Sequence, residues 1–216
     1  MSTDNFPTPA ADREGINPVE VLAAILLGLA GILTAYSAYN GALAGGDALK
    51  GYTQSARTTA DANGYYDDYS QTYNADQALF LQYQLLVEND NTETAAVIKD
   101  TLFSDALTTA TEAWDAQPDT DGGARTPLEV DEYVIEAYTT ANDLFERADA
   151  QFTEAQNTDD RGDNFDLAAV FLAVSLFFAG IAALFKARKI QVAMLIGSAL
   201  LILPGLQSIA KGKGWL

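Results

Sequence analysis

Tyrosines and aspartates are concentrated in the stretch GYYDDYSQTYNADQALFLQY, which runs from Gly64 to Tyr83 and holds five tyrosines and three aspartates. Grouped carboxylates can bind a cation, and Asp67, Asp68 and Asp76 are the candidate ligands. Their spacing does not match the calcium-loop pattern D-x-[DN]-x-[DN]-G. We therefore favour a structural role for this stretch and keep the cation site as the alternative.

The chain contains no cysteine and no histidine. Thiol nucleophiles, disulfides and most zinc sites are therefore excluded, as is the side chain that most often exchanges protons near neutral pH. Neither G-x-S-x-G nor G-x-x-x-x-G-K-[ST] occurs, because Lys50 follows Gly45 and Gly46 too late and has no Ser or Thr after it. We expect a protein that is not an enzyme and that carries no cofactor and no metal.

The tyrosines fall on a heptad pattern, which is typical of one face of a helix that packs on a neighbour. The pattern consists of Ala62, Tyr66, Tyr69, Tyr73, Asp76, Phe80, Tyr83 and Val87, and only Asp76 interrupts it. Tyrosine suits a thin and partly wet core, because its ring can be buried while its hydroxyl keeps a partner. A second pattern of this kind consists of Val130, Val134, Ala137, Ala141, Leu144, Ala148, Phe152 and Ala155.

Charge is segregated along the chain. The net charge is −18, and residues 41–163 hold 25 of the 30 acidic groups but only six Lys or Arg. A segment this acidic repels nucleic acid and attracts cations nonspecifically. Its richness in Asp and poverty in Lys resemble the composition of proteins from salt-loving microbes, so we interpret the acidic surface as a halophilic adaptation.

Three apolar segments are long enough to cross a bilayer, which takes about 20 helical residues. We expect an all-α integral membrane protein with transmembrane helices at 18–40, 164–186 and 190–209, the last ending or kinking near Pro204. The polar tails are 1–17 and 210–216, and the acidic insert is 41–163. The region before the first span lacks the basic leader of a signal peptide, so we expect a retained anchor.

The connector Lys186-Ala187-Arg188-Lys189 carries three cations, which favours a cytoplasmic position. That orientation places the N-terminus in the cytoplasm and the acidic segment outside the cell. A plain count of Lys and Arg, four inside against five outside, does not favour it. We adopt it because long polar loops cross largely regardless of charge.

Within the insert we expect three helices that form a helical hairpin or three-helix soluble bundle. The first continues from span one, with a kink or hinge near Gly41, Gly45 and Gly46, and ends at 88–92. The second is capped by Thr92 and ends at Ala116. The third begins at the capping box Thr126-Pro127-Leu128-Glu129 and fades over 157–164.

The spans contain stripes of small residues that allow close helix packing. The stripe positions are Ala24, Gly28, Gly31, Ala35 and Ala38 in span one, Ala169, Ala173 and Gly180 in span two, and Ala193 and Gly197 in span three. Packing of the three spans within one chain is one explanation. The other is a subunit contact in a homo-oligomer or with a larger membrane complex.

Short motifs add a resemblance. They are AYSAYN at 35–40, KGYT at 50–53, EAWDAQP at 112–118, TPL at 126–128 with a tyrosine soon after, and LFFAGIA at 176–182. On these motifs the chain resembles a group of uncharacterised prokaryotic membrane proteins that share a domain of unknown function. The resemblance implies the order span, helical insert, two spans, and it implies no activity.

Three functions are compatible with these features. The first is a non-catalytic oligomeric membrane protein or accessory subunit of a membrane assembly. The second is a membrane-anchored sensor whose insert binds a ligand and signals to a partner. The third is a homo-oligomeric cation channel lined by Thr34, Ser37, Ser175 or Ser198.

Overall fold

The chain is mostly helical in the computed structural model, which describes residues 18–117 and 123–216. The elements are α1 (Pro18–Glu88), α2 (Thr92–Leu102), α3 (Asp105–Asp115), a 3-10 turn (Pro127–Glu129), α4 (Glu136–Ala182) and α5 (Arg188–Gly212). No strand occurs in the two described ranges, and the all-α fold class is confirmed. The predicted N-terminal tail, 1–17, lies outside the described residues.

Three helices, α1, α4 and α5, each contain a segment long and apolar enough to cross a membrane, as the sequence predicted. Few residues of these segments are buried inside the protein: 17% in α1 and 33% in each of the other two. Large side chains such as Ile32, Val170, Leu184 and Leu203 are exposed. Exposed apolar surface on this scale is costly in water and is typical of contact with lipid.

The predicted end of the third insert helix is wrong, because α4 continues through 157–164, where the sequence predicts that it fades. Helix α1 continues from span one through Gly41, Gly45 and Gly46 as one helix of 71 residues, and the kink or hinge near these glycines stays a prediction. Each glycine costs a helix only about 1 kcal/mol relative to alanine. That cost is small beside the packing of a long helix, and the polar cluster at 157–164 contains one glycine, Gly162, and no proline.

The chain divides into two compact units. The first, which we call the apolar unit, comprises α1 up to Lys50, α4 from Glu154 onward, and α5. Its α1 buries Ala23, Ala30, Ser37, Gly41 and Ala48, and its α4 buries Ala155, Gly162, Phe165, Ala168, Leu172, Ser175, Ala179 and Ala182. These steps of three, four and seven residues form a heptad pattern of mostly small side chains, which lets helices pack closely.

Most of the predicted small-residue stripe on span one lies beside this buried face and not on it. Ala24, Gly28, Ala35 and Ala38 are exposed, and Gly31 is half-buried near Leu176. In the other two helices, Ala173 and Ala193 are exposed, while Ala169, Gly180 and Gly197 are half-buried. Small residues occur on adjacent faces of each helix, and spacing alone does not distinguish one face from the next.

Helix α5 packs on α4 through two glycines. A Cβ atom at Gly205 would lie 2.9 Å from Cγ of Leu172, and one at Gly212 would lie 2.9 Å from Cε2 of Phe165. The hydroxyl of Ser175 also donates to the carbonyl oxygen of Ser198 at 2.9 Å. Helix α5 continues through Pro204 to Gly212, so the predicted end near Pro204 is wrong, and the alternative of a kink there stays a prediction.

The second unit, Gly51–Thr153, which we call the acidic unit, contains the rest of α1 and α4 together with α2, α3 and the 3-10 turn. The predicted single helix from Thr92 to Ala116 is two helices. Asn91, and not Thr92, caps α2 by accepting a hydrogen bond from the Thr94 amide. Ser104 caps α3 by accepting one from the Leu107 amide at 3.0 Å.

The predicted start of the third helix is also wrong. Pro127 opens only one 3-10 turn, Thr126 makes no capping bond through its side chain, and α4 begins at Glu136. The Glu129 carboxylate accepts instead from the Arg125 amide at 2.9 Å. Val134, which was predicted to lie on this helix, therefore precedes α4, and it is 60% exposed.

Candidate functional site: a tyrosine and aspartate cluster

Near Ser55 in the acidic unit, small and polar side chains pack α1 against α4. The Ser55 hydroxyl donates to the Ala148 carbonyl oxygen at 2.8 Å, and the Thr58 hydroxyl donates to Oε1 of Gln151 at 2.9 Å. Ala62, Ala141 and Ala148 are buried. Phe152, a member of the second predicted heptad pattern, is 44% exposed and lies beside Tyr52, with ring centroids 5.3 Å apart.

Further along α1, the residues of the first predicted heptad pattern differ in how deeply they are buried. Phe80 and Asp76 are buried, Tyr69, Tyr73 and Tyr83 are half-buried, and Tyr66 is exposed. On α4, Leu144 is half-buried. Side chains at one heptad position therefore differ in burial according to what packs opposite them.

Asp76 is the centre of a hydrogen-bond network inside the acidic unit. Its side chain is 2% exposed, and its Oδ2 atom accepts from the Ser104 hydroxyl at 2.6 Å and from the Tyr133 hydroxyl at 3.0 Å. Ser104 also caps α3, and Tyr133 lies between the 3-10 turn and α4. A single carboxylate thus connects three segments that are distant in sequence, and its hydrogen bonds offset the cost of burying it.

The Tyr133 hydroxyl keeps its proton at ordinary pH and therefore remains a hydrogen-bond donor. Burial is the main cause that raises the pKa of its phenol far above the usual value, and the charge of Asp76 and the hydrogen bond to it act in the same direction. Partial burial also raises the pKa of Tyr69, with smaller effects from Tyr73, Tyr66 and Tyr138. Neither phenol is poised to exchange protons near pH 7, so general acid–base catalysis is not favoured here.

Five tyrosine rings are linked by mutual contacts, and one of them, Tyr133, belongs to this network. Tyr69 lies 4.9 Å from Tyr138, 5.9 Å from Tyr73 and 5.7 Å from Tyr66, and Tyr73 lies 6.2 Å from Tyr133, all between ring centroids. These are the separations at which aromatic pairs attract each other. Four of the rings line one cavity of about 470 Å³: Tyr69, Tyr73, Tyr133 and Tyr138.

Trp114 completes the core of the acidic unit at α3. Its ring meets Phe80 edge-on at 5.7 Å, and its indole N–H donates to the Ala124 carbonyl oxygen at 2.8 Å. The indole therefore reports on the packing of α3 against α1.

The alternative cation site built from Asp67, Asp68 and Asp76 is not assembled. Asp67 and Asp68 are exposed, whereas Asp76 is buried with its two hydroxyl donors. Among residues 18–117 and 123–216, no group of three or more metal-binding side chains is close enough to hold an ion.

The residues proposed for a channel lie inside the apolar unit. Ser37, Ser175 and Ser198 are fully buried, and Ser175 and Ser198 are hydrogen-bonded to each other. The Thr34 hydroxyl donates to the Ala30 carbonyl oxygen of its own helix at 2.7 Å. Within the described part of the chain, only Ser37 has a buried side-chain oxygen without a hydrogen-bond partner.

No protein-family model, curated protein or solved structure matches the chain. The resemblance to uncharacterised prokaryotic membrane proteins therefore stays a prediction.

Proposed function

We propose that the chain is a non-catalytic integral membrane protein that acts as a homo-oligomer or as an accessory subunit of a membrane assembly. In this proposal α1, α4 and α5 cross the bilayer, and the acidic unit lies in water on the outer side. The apolar side chains exposed on all three helices support the first part. The excess of acidic over basic residues in 51–153, twenty against four, supports the position of this unit in water.

One observation carries the subunit contact. The stripe formed by Ala24, Gly28, Ala35 and Ala38 is exposed, and a Cβ atom at Gly28 would meet nothing within 4 Å. The packing of α1 inside the chain uses the neighbouring face, which contains Ala23 and Ala30. A small-residue face that remains free is suited to close contact with a helix of another subunit.

Cysteine trapping tests the contact, because the native chain contains no cysteine and an introduced one reports only on itself. We expect Ala35→Cys to form a disulfide-linked dimer rapidly when membranes are oxidised. Leu29→Cys is the matched control, since Leu29 is also exposed but lies on a different face of α1. We expect at least a fivefold lower initial rate of dimer formation for it. Equal rates for the two variants would contradict the proposed subunit contact.

The sensor is the second candidate, and the cavity among the tyrosines is the observation that favours it. In this reading the acidic unit binds a ligand and the chain signals to a partner protein. The channel has less support, since three of its four candidate lining residues, Ser37, Ser175 and Ser198, are fully buried in the apolar unit.

A further inference from the structure

The cavity among the tyrosines has the composition of a site for an organic cation. Tyr69, Tyr73, Tyr133 and Tyr138 make up half of its eight lining residues, and Leu128, Val134, Ile135 and Thr139 make up the other half. No lining residue is charged. A metal ion would find only phenol, hydroxyl and backbone oxygens there, which is a poor set of ligands for a hard divalent cation.

Aromatic rings attract cations, because the face of each ring is electrostatically negative. Several rings around one space act together on a cation that has no N–H groups to satisfy, and quaternary ammonium groups are recognised in this way. Three ring separations of 4.9–6.2 Å join the four tyrosines into one wall and show that they are packed as a set.

The charge around the cavity favours a cation over a neutral or anionic ligand. The Tyr133 hydroxyl donates to the buried Asp76 carboxylate, so a negative charge lies at the hydroxyl end of one ring of the wall. The acidic unit holds twenty acidic and four basic residues, and none of the four basic residues lines the cavity. The resulting field concentrates cations near the opening.

From these observations we propose that the cavity formed by Tyr69, Tyr73, Tyr133 and Tyr138 binds a quaternary ammonium group. The tyrosine faces contact the methyl groups of the cation, and Asp76 contributes at longer range through Tyr133. This inference gives a ligand class to the sensor candidate. It does not depend on the subunit contact, so the cysteine-trapping experiment and the binding experiment can fail separately.

Binding of choline to the purified full chain tests the proposal, with a maltoside detergent so that no choline headgroup is present in the micelle. Saturation-transfer NMR on the methyl protons of choline and isothermal titration are both suitable. The matched ligand is 3,3-dimethyl-1-butanol, which has the shape of choline without its charge. We expect choline to bind at least fivefold more tightly, which corresponds to about 1 kcal/mol.

Variants locate the site. We expect Tyr138→Leu to weaken choline binding about fivefold or more, because it removes one ring face, and Tyr138→Phe to retain binding, because it keeps the ring. Tyr65→Leu is the control, since Tyr65 is on α1 and lies outside this cavity. The unfolding midpoint of each variant, followed by Trp114 fluorescence, separates lost binding from lost folding.

Four results would overturn the proposal. They are no binding of choline to the folded chain, equal binding of choline and its neutral analogue, equal effects of Tyr138→Leu and Tyr65→Leu, and loss of binding in a folded Tyr138→Phe variant.

Discussion

Replacement of Asp76 by alanine is expected to lower the free energy of unfolding of the acidic unit by roughly 3 kcal/mol, one of two strong effects that the structure predicts. The carboxylate is 2% exposed and accepts from the hydroxyls of Ser104 and Tyr133. Alanine would leave both donors without an acceptor in a buried site and would open a cavity beside them. Asp76→Asn keeps an acceptor oxygen, so we expect a smaller loss of about 1 kcal/mol.

Fluorescence of Trp114 provides the measurement. The chain has two tryptophans, and Trp215→Phe leaves Trp114 as the single reporter, packed on Phe80 inside the acidic unit. Urea unfolding of the full chain in detergent would then follow this unit. Asp68→Ala is the matched control, because Asp68 is an exposed aspartate on the same helix, and we expect a change within about 0.5 kcal/mol. A loss for Asp76→Ala no greater than that for Asp68→Ala would contradict the structural role of the network.

The second strong effect is expected at Gly205, where α5 meets α4. A Cβ atom would lie 2.9 Å from Cγ and 3.0 Å from Cδ2 of Leu172, and Leu172 is fully buried. The Leu172 side chain is packed in a cluster with Phe165, Ala168, Ile202 and Ile209, so it has little space to move. We expect Gly205→Leu to destabilise the apolar unit by roughly 3 kcal/mol, which is at the upper end of the cost of overpacking.

The thermal midpoint of the full chain in detergent measures this effect, as the temperature at which half of the protein loses its sharp size-exclusion peak. A loss of this size corresponds to a midpoint lower by about 6–12 °C. Gly46→Leu is the control, because a Cβ atom at Gly46 would meet nothing within 4 Å and leucine is a better helix former than glycine. We expect the control to be neutral or stabilising. Equal midpoints for both variants would show that α5 does not pack on α4 through Gly205.

The sequence predicted the helical elements well where a pattern of side chains extends over many residues. Apolar segments of bilayer length and the heptad patterns of α1 and α4 both depend on side-chain spacing, which the chain displays directly. Helix ends were predicted less well, because they depend on competition between local capping and tertiary packing. Ser104 is an example: its side chain caps α3 and also donates to Asp76, and only the folded chain brings that acceptor close.

The candidate site was predictable only in part. Asp76 is the one charged residue in the heptad pattern that contains the tyrosines. A charged residue at such a position indicates a buried carboxylate with specific partners. Its partners were not predictable, since Ser104 and Tyr133 lie 28 and 57 residues away in the sequence. The cavity was not predictable either, because Tyr133 and Tyr138 belong to a segment whose start was wrongly predicted.

The same limit applies to the small-residue stripes. Ala23 and Ala24 are both small, yet Ala23 is buried and Ala24 is exposed. Adjacent residues lie about 100° apart around a helix, so the choice between them depends on which face the partner helix covers. Spacing identified a face of α1 that is suitable for close contact. In the structure, the adjacent face of α1 is the one that packs inside the chain.

The most direct test of the proposed membrane topology is the accessibility of two single cysteines to a membrane-impermeant maleimide in intact cells. With three crossings, Glu93 in the acidic unit and Ala187 in the connector between α4 and α5 lie on opposite sides. We predict that Glu93→Cys is labelled in intact cells and that Ala187→Cys is labelled only after permeabilisation. Labelling of both variants to the same extent in intact cells, or of neither until lysis, would contradict the three-span topology.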